Sequence, residues 1–582
     1  MYYDFAVAIP SEKGKIITKK KGSATYVLYQ YGQDYHRDKK YSVPKRTIIG
    51  KISDLDSSQM YPNERYQTYF PDAALPEIRP EAVRSCCLRI GSYLVIQHVL
   101  DEYHLPEMLY KRLGENCGLF LDLVAYSIVD QDNAGQYYPD FAFCHPLFSE
   151  QMRIYSDVKV SRLLTSISRG QIVGFLDDWN EGRDKKQRVY VSYDSTNKNC
   201  QAGDIDLVEF GKPKDDKGIP VFNVSLAFDK TNRIPLFYEE YPGSITDVSQ
   251  FRCMVDKVNE YGYKKIGFIL DRGYFSKENI RYMDARHYEF IIMAKGCKSL
   301  AASMVDSVRN RFESDRRCVI RAYKVYGTTI ISRLYEDDVK DRYFHIYYNP
   351  AKQAAEREKL EQKIDKYREF LEKHIGTDAQ FGASYHAYFT LFYKGKTLVG
   401  IQERADVIEQ ELNRCGYFCI ITSEKMNASQ ALVQYKGRDI SEKLFQADKS
   451  FLGGQSMRVQ SPEAISSKIF IEFIALIVRN RIYNLLKETM LKLDGSPNYM
   501  TVPAALRELE KIEMVRRNNN HYVLDHAVTR KQKTILSAFG LDEHSVYTSA
   551  GEISGLLAKS KSLITRATEE SDDGEDEVDI YD

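Results

Sequence analysis

Apolar and polar positions change their period several times along the chain. Up to about residue 60 the apolar residues fall in short runs, Ile16-Ile17, Tyr26-Val27-Leu28-Tyr29 and Thr47-Ile48-Ile49, bounded by Gly22, Gly32, Pro44 and Gly50. Runs of that length between turn residues predict strands. From about Pro80 to Trp179 the spacing shifts to three and four residues, as in Ile90–Ile96, Leu119–Val129 and Val160–Leu176, which predicts an all-α module.

Beyond Arg188 the pattern alternates. Val189–Tyr193 predicts a strand that delivers Asp194 at its C-terminal end. Phe222–Phe228 and Ile234–Tyr241 predict two more, joined by a turn over Asp229–Arg233 in an antiparallel meander. Pro242-Gly243-Ser244 breaks the run, and Phe251, Met254, Val255 and Val258 form one stripe of a helix ended by Gly262. Ile266-Gly-Phe-Ile-Leu270 is a continuous apolar strand of buried type that delivers Asp271. A helix over Lys277–His287 and a strand over Phe290–Ala294 follow. This order, β-β-β-α-β-α-β with a later helix, predicts an α/β core with a ribonuclease-H-like, five-stranded mixed sheet. A helical crossover makes the fourth strand parallel to the first, so Asp194 and Asp271 meet at the carboxyl edge, where open α/β sheets place their sites.

Roughly 135 residues then precede the next strong pattern, too many for a loop. Tyr323–Tyr335, Tyr343–Tyr348 and Tyr385–Leu398 read as strands and Ala354–His374 as a charged helix, which together predict a β-rich insertion. The stretch Tyr435–Lys449 follows. As an α-helix at about 100° per residue, it gathers Tyr435, Arg438, Glu442 and Lys449 within an arc of roughly 60°, with Val433, Ile440, Leu444 and Ala447 opposite. A carboxylate flanked by cations suits a divalent metal beside phosphates, although an ordinary amphipathic surface helix has the same pattern and Gly437 weakens a helix here. Pro462 then introduces a helix over Ala464–Lys487 with an apolar stripe, and Val502–Ile553 reads as a small helical piece.

Composition refines this picture at two points. The formal charge is zero over 582 residues, but residues 569–582 hold nine acidic and no basic side chains, which leaves +9 (82 basic against 73 acidic) on residues 1–568. Lys13–Lys51 alone carries eleven Lys and Arg against two Asp, with Lys19, Lys20 and Lys21 interleaved with tyrosines. A basic body with an acidic, disordered tail favours a polyanion partner only mildly. The ten Cys form no CxxC pair and the His are dispersed, which predicts reduced thiols, no zinc site and a cytosolic protein. The longest apolar run, Ile469–Val478, is interrupted by Glu472 and too short for a bilayer, and no phosphate-binding Gly-rich motif is present, so neither membrane nor nucleotide is expected.

Three carboxylates, Asp194, Asp271 and Glu442, are thus expected to converge and hold two Mg²⁺ ions, with Glu472 the rival third acid on an apolar helix. Here the chain resembles a family. Tyr435, Arg438, Glu442 and Lys449, spaced three, four and seven residues apart, are similar to the Tyr-Arg-Glu-Lys signature of one group of bacterial DDE insertion-sequence transposases. Tyr193-Asp194-Ser195-Thr196, Pro242–Asp247 and Leu270-Asp271-Arg272-Gly273-Tyr274 resemble the family's other blocks, in the same order. The resemblance implies that Asp194, Asp271 and Glu442 bind the metals (Mg²⁺, with Mn²⁺ able to substitute) and that Tyr435, Arg438 and Lys449 hold phosphates, while Arg272, Lys19, Lys20 and Lys21 are further DNA-binding candidates. It implies cleavage at terminal inverted repeats and joining of 3′ ends to target DNA by a homodimer bridging two ends, in the bacterial cytoplasm and on the nucleoid when acting. Some relatives hold a flipped base with a Trp shortly after the first Asp. The single Trp179 precedes Asp194, so that step is not carried over; an aromatic such as Tyr274 is a weaker substitute.

The expected organisation begins with a basic DNA-binding β module (1–80) and an α-helical DNA-binding or dimerisation module (81–185). The ribonuclease-H-like core follows in two segments, 186–295 and 431–492, separated by the β-rich insertion (296–430). A C-terminal helical region (493–568) and an acidic tail (569–582) complete the chain. Two other functions fit the same residues: a ribonuclease-H-like DNA nuclease without strand transfer, and a non-catalytic DNA-binding protein derived from a transposase.

Overall fold

The computed structural model describes residues 2–570 except 4, 22–23, 37–40, 54–55, 74–83, 201–204, 211–218, 246, 295–299, 439–445, 447–448, 450–451, 453–455, 494, 496 and 518–520. Its centre is a mixed sheet. Strands β1 (Val189–Cys200), β2 (Val221–Asp229) and β3 (Ile234–Pro242) form an antiparallel meander. Helix α1 (Asp247–Glu260) leads to β4 (Ile266–Leu270), which lies parallel to β1, and α2 (Lys277–Ala285) leads to β5 (Glu289–Met293), parallel to β4. Every residue of β4 is buried, as its unbroken apolar run requires in a strand covered on both faces.

The sheet does not stop at five strands. The insertion contributes β6 (Val319–Ile320), β7 (Val325–Arg333), β8 (Asp341–Tyr348) and β9 (Tyr417–Thr422), and β9 pairs antiparallel with β5. The path runs β6-β7-β8-β9-β5-β4-β1-β2-β3, and a short tenth strand, β10 (Ser456–Met457), pairs with the far end of β1. An exposed edge at β5 would offer unpaired backbone groups, and β9 covers it. Only part of the insertion stands apart: α3 (Pro350–Glu372), a hairpin of Phe389–Lys394 and Thr397–Glu403, and α4 (Ala405–Arg414) share a small core around Ile364, Leu371 and Phe389. The strand expected over Tyr385–Leu398 is instead a short helix, Ala383–His386, followed by that hairpin, whose turn places Gly395 at a φ of 65°.

One face of the sheet is covered by α5 (Ala428–Lys436), started by an Asn427/Gln430 capping box, and by α6 (Pro462–Met490), whose Ser461 accepts from the Ala464 amide at 3.2 Å. Helix α6 is buried nearly all round rather than along one stripe. It lies between the sheet and the helices Gly91–Glu102, Cys117–Val129 and Asp157–Ser166, so both its sides meet apolar surface. One continuous core therefore runs from Leu88 through the helices and the sheet to Leu557. The N-terminal residues form a separate five-stranded sheet with its own core of Val27, Ile49, Met60 and Tyr66.

Candidate functional site

Tyr193 in β1 pairs with Leu270, the last residue of β4. One residue further on, Asp194 within β1 and Asp271 just past the end of β4 lie on neighbouring parallel strands, whose axes are about 4.8 Å apart. The two carboxylates thus share the carboxyl edge. Asp194 does not end its strand, contrary to the expected boundary: β1 runs on to Cys200 because β2 continues to pair with it, Asp194 opposite Leu226. Its other partner changes instead, from β4 up to Tyr193 to β10 at Asn199 and Cys200, and the edge between them opens at Asp194. Each carboxylate is held from its own backbone. Asp194 Oδ1 accepts from the Ser195 amide at 2.9 Å, and Asp271 Oδ1 accepts from the Arg272 amide at 2.7 Å, capping the turn Arg272–Tyr274.

Arg438 reaches the same edge: its Nη1 lies 3.6 Å from Asp271 Oδ2, its side chain largely buried. The single helix expected over Tyr435–Lys449 is not formed. Helix α5 ends at Lys436, Gly437 caps it, and the Arg438 amide closes a turn on the Tyr435 carbonyl. At Tyr435 and Val433 the expected faces are reversed. Tyr435 is 4% exposed and packs with Ile269, Ile291, Tyr347 and Leu432, while Val433 is 48% exposed. Tyr435 therefore buries its ring under the sheet, and the Arg438 guanidinium sits 5.5 Å from that ring centroid. Glu442, with Ile440, Leu444 and Ala447, lies outside the described residues; Lys449 is half-buried in helical conformation. Arg272 is exposed beside Asp271, and Lys19, Lys20 and Lys21 are exposed on an edge strand of the N-terminal sheet.

The other sequence candidates fall in the interior. Glu472, the rival acid, is 3% exposed; its Oε2 meets Lys198 Nζ at 2.8 Å and its Oε1 meets Asn133 Nδ2 at 3.4 Å. Trp179 is buried and donates to the Pro235 carbonyl at 2.9 Å. Tyr274 packs on Tyr193 at 5.3 Å between centroids and donates to Ser195 Oγ at 3.3 Å, a core role that removes it as a base-holding aromatic. None of the nine described cysteines forms a disulfide. Among the described residues no helix is long and apolar enough to cross a membrane.

Two aspartates on adjacent strands at one sheet edge, with one oxygen of each fixed by a backbone amide, are hard donors of the kind that hold Mg²⁺ through one or two carboxylates plus water. The donor set fits such an ion. Among the described residues no three His, Cys, Asp or Glu side chains gather into a metal site, and Glu442 is not one of those residues.

Two features escape a reading of the sequence. A cleft of about 580 Å³ opens beside Arg272 between β5, β9, α3 and α4, with Lys352, Arg414, Glu411 and Phe418 on its walls. Its floor is β9, whose signal is the buried-type run Tyr417-Phe-Cys-Ile-Ile-Thr422 introduced by Gly416 at a φ of 87°. The second is Lys230 in the turn between β2 and β3, whose ammonium bonds the end of α5. A lone turn lysine carries no sequence signal.

Residues 191–478 match the family described as the Transposase DDE domain. That span starts within β1, three residues before Asp194, ends within α6, and includes both aspartates and the Tyr435–Lys449 signature. It supports reading this stretch of the chain as a DDE transposase domain, and the mixed sheet with its flanking helices fits such a core. No curated protein sequence matches the chain. Among the solved structures that overlap it are two transposase complexes. One is the piggyBac transposase synaptic complex with hairpin DNA, 9% identical, with a TM-score of 0.33 over 79% of this chain and 70% of that one. The other is the Mos1 transposase paired-end complex with left transposon end, 13% identical, with a TM-score of 0.14 over 42% of this chain and 73% of that one. Both scores are low, and the assignment rests on the family match.

Proposed function

We propose that the chain is the DNA transposase of an insertion sequence, which binds terminal inverted repeats, cleaves at the transposon ends and joins the 3′ ends to target DNA as a homodimer. The observation that supports this reading is the placement of Asp194 within β1 beside Asp271, which directly follows the end of the parallel strand β4, with the Arg438 guanidinium 3.6 Å from Asp271. Two divalent ions held by Asp194, Asp271 and Glu442 would acidify the attacking water or 3′-hydroxyl and stabilise the leaving oxygen. The core is read as ribonuclease-H-like, with its five central strands extended by the insertion.

The chain's own residues supply binding and orientation. Asp194 and Asp271 are fixed by adjacent amides, so they need little rearrangement to receive cations. Arg438 balances Asp271 and is placed to turn toward a phosphate, where a guanidinium makes paired, charge-assisted bonds. Arg272, Lys449 and the exposed Lys19–Lys21 add sequence-independent backbone attraction.

The test is incubation of the purified protein with duplexes carrying the inverted repeats that flank its reading frame, with Mg²⁺ and a target plasmid. Nicked ends together with covalently joined products are expected. Nicks without joined products indicate a nuclease, and binding without nicks indicates a non-catalytic end-binding protein; either sets the proposal aside.

A further inference from the structure

The turn between β2 and β3 is bonded to itself, to β1 and to α5. Asp229 is buried and accepts from the amides of Thr231 at 2.8 Å and Asn232 at 3.1 Å and from Asn232 Nδ2 at 2.6 Å, which closes the turn on itself. The Lys230 amide donates to the Tyr190 carbonyl at 2.8 Å, tying the turn to β1, the strand that carries Asp194. The Lys230 side chain then crosses to α5. Its Nζ donates to the carbonyls of Gln434 at 2.9 Å and Val433 at 3.3 Å and to Gln434 Oε1 at 2.7 Å.

Those carbonyls belong to the last turn of α5, where they also accept from the Gly437 amide at 3.2 Å and where the helix dipole favours a cation. Gly437 follows directly. A Cβ at that position would overlap Cε and Nζ of Lys230, so the lysine lies against a backbone that only glycine leaves bare. One residue later comes Arg438, with its guanidinium near Asp271. Burial pushes the Lys230 ammonium down to about 8, a cost offset by the three acceptors around it.

We propose that Lys230 is a positioning residue for the reaction: bound to the strand of Asp194 at one end and to the end of α5 at the other, it fixes the direction in which the chain leaves Gly437 and so aims Arg438 at the Asp194–Asp271 edge. Lys230 touches neither carboxylate and takes no part in the chemistry. This inference rests on the transposase reading above.

The experiment compares full-length wild type, Lys230→Met, Gly437→Ala and the double variant on the inverted-repeat duplexes. Methionine keeps the apolar stem and removes the donors, whereas Gly437→Ala keeps the lysine but displaces its end. Nicking of saturated protein–DNA complexes is expected to fall on the order of 10-fold to 100-fold in each single variant, because misaiming by about an ångström costs that much. Melting temperature stays near wild type, and the salt slope of end binding drops by about one, as for loss of one phosphate contact. The double variant is no worse than either single one, since both break the same seat. Wild-type nicking by Lys230→Met, additive losses, or losses that track a lowered melting temperature overturn the proposal. Should Lys230→Met fail to fold, the same readouts on Gly437→Ala decide. An inactive wild type overturns this inference together with the transposase reading, whereas an active wild type matched by both variants overturns the inference alone.

Discussion

Arg438 and Asp271 approach to 3.6 Å at one sheet edge, the arginine just past the end of a helix and the aspartate just past the end of a strand. At that separation the pair is an ionic contact rather than a tight hydrogen bond, and it leaves the guanidinium able to turn toward a phosphate. Arg438→Ala is expected to weaken end binding and to flatten its dependence on salt by about one unit of slope. Lys449→Ala should do the same independently. Mobility-shift titrations at several salt concentrations read the slope, and an unchanged slope in both variants means neither side chain meets the phosphates.

The acids make a sharper prediction. Asp194→Ala, Asp271→Ala and Glu442→Gln should each abolish Mg²⁺-dependent nicking and joining while leaving end binding largely intact. Full nicking by Glu442→Gln would place the third acid elsewhere.

The centre of this fold is legible in the sequence and its periphery less so. Ile266–Leu270 can be read to the residue because an unbroken apolar run bounded by Lys265 and Asp271 has one physical solution, a strand covered on both faces. Tyr435 cannot. Its expected placement depends on a helix continuing to Lys449, and the helix stops at Gly437 against Lys230, a residue two hundred positions away. A tyrosine also suits either side of a helix, so burial of its ring beside Leu432 carries no local signature. The insertion reads as a separate unit because its length exceeds any loop, whereas pairing of β9 with β5 is a non-local event that no window of sequence contains.

Glu472 offers a contrast with the three acids proposed to hold the metals. It and Lys198 are 3% and 2% exposed, and their ion pair joins β1 to α6. Removing one partner strands the other charge in the interior, at a cost of about 3–5 kcal/mol. Glu472→Gln is therefore expected to lower stability in denaturant unfolding, with any loss of nicking following the loss of folded protein. Replacing both residues by apolar ones of similar volume, Lys198→Met with Glu472→Leu, should recover most of it. A stable, inactive Glu472→Gln would instead make this residue part of the chemistry.

Asp122 makes stability depend on pH in a definite direction. It is fully buried, and burial pushes its carboxyl up to about 7, although the Phe148 amide at 2.5 Å, the Ser149 amide at 3.3 Å and the Tyr138 hydroxyl at 3.2 Å all donate to it. Between the ordinary aspartate value and about 7, the folded chain keeps a proton that the unfolded chain releases. Its contribution is therefore complete in acid and is lost as pH rises through that window, by up to about 1.4 kcal/mol per unit. Asp122→Asn keeps the acceptor for the two amides and has no charge to bury. Relative to wild type it should gain stability steadily from about pH 5 to about pH 7 in denaturant titrations, the window set by the raised carboxyl. A constant difference between the two proteins across that range would mean Asp122 is ionised in the folded state throughout.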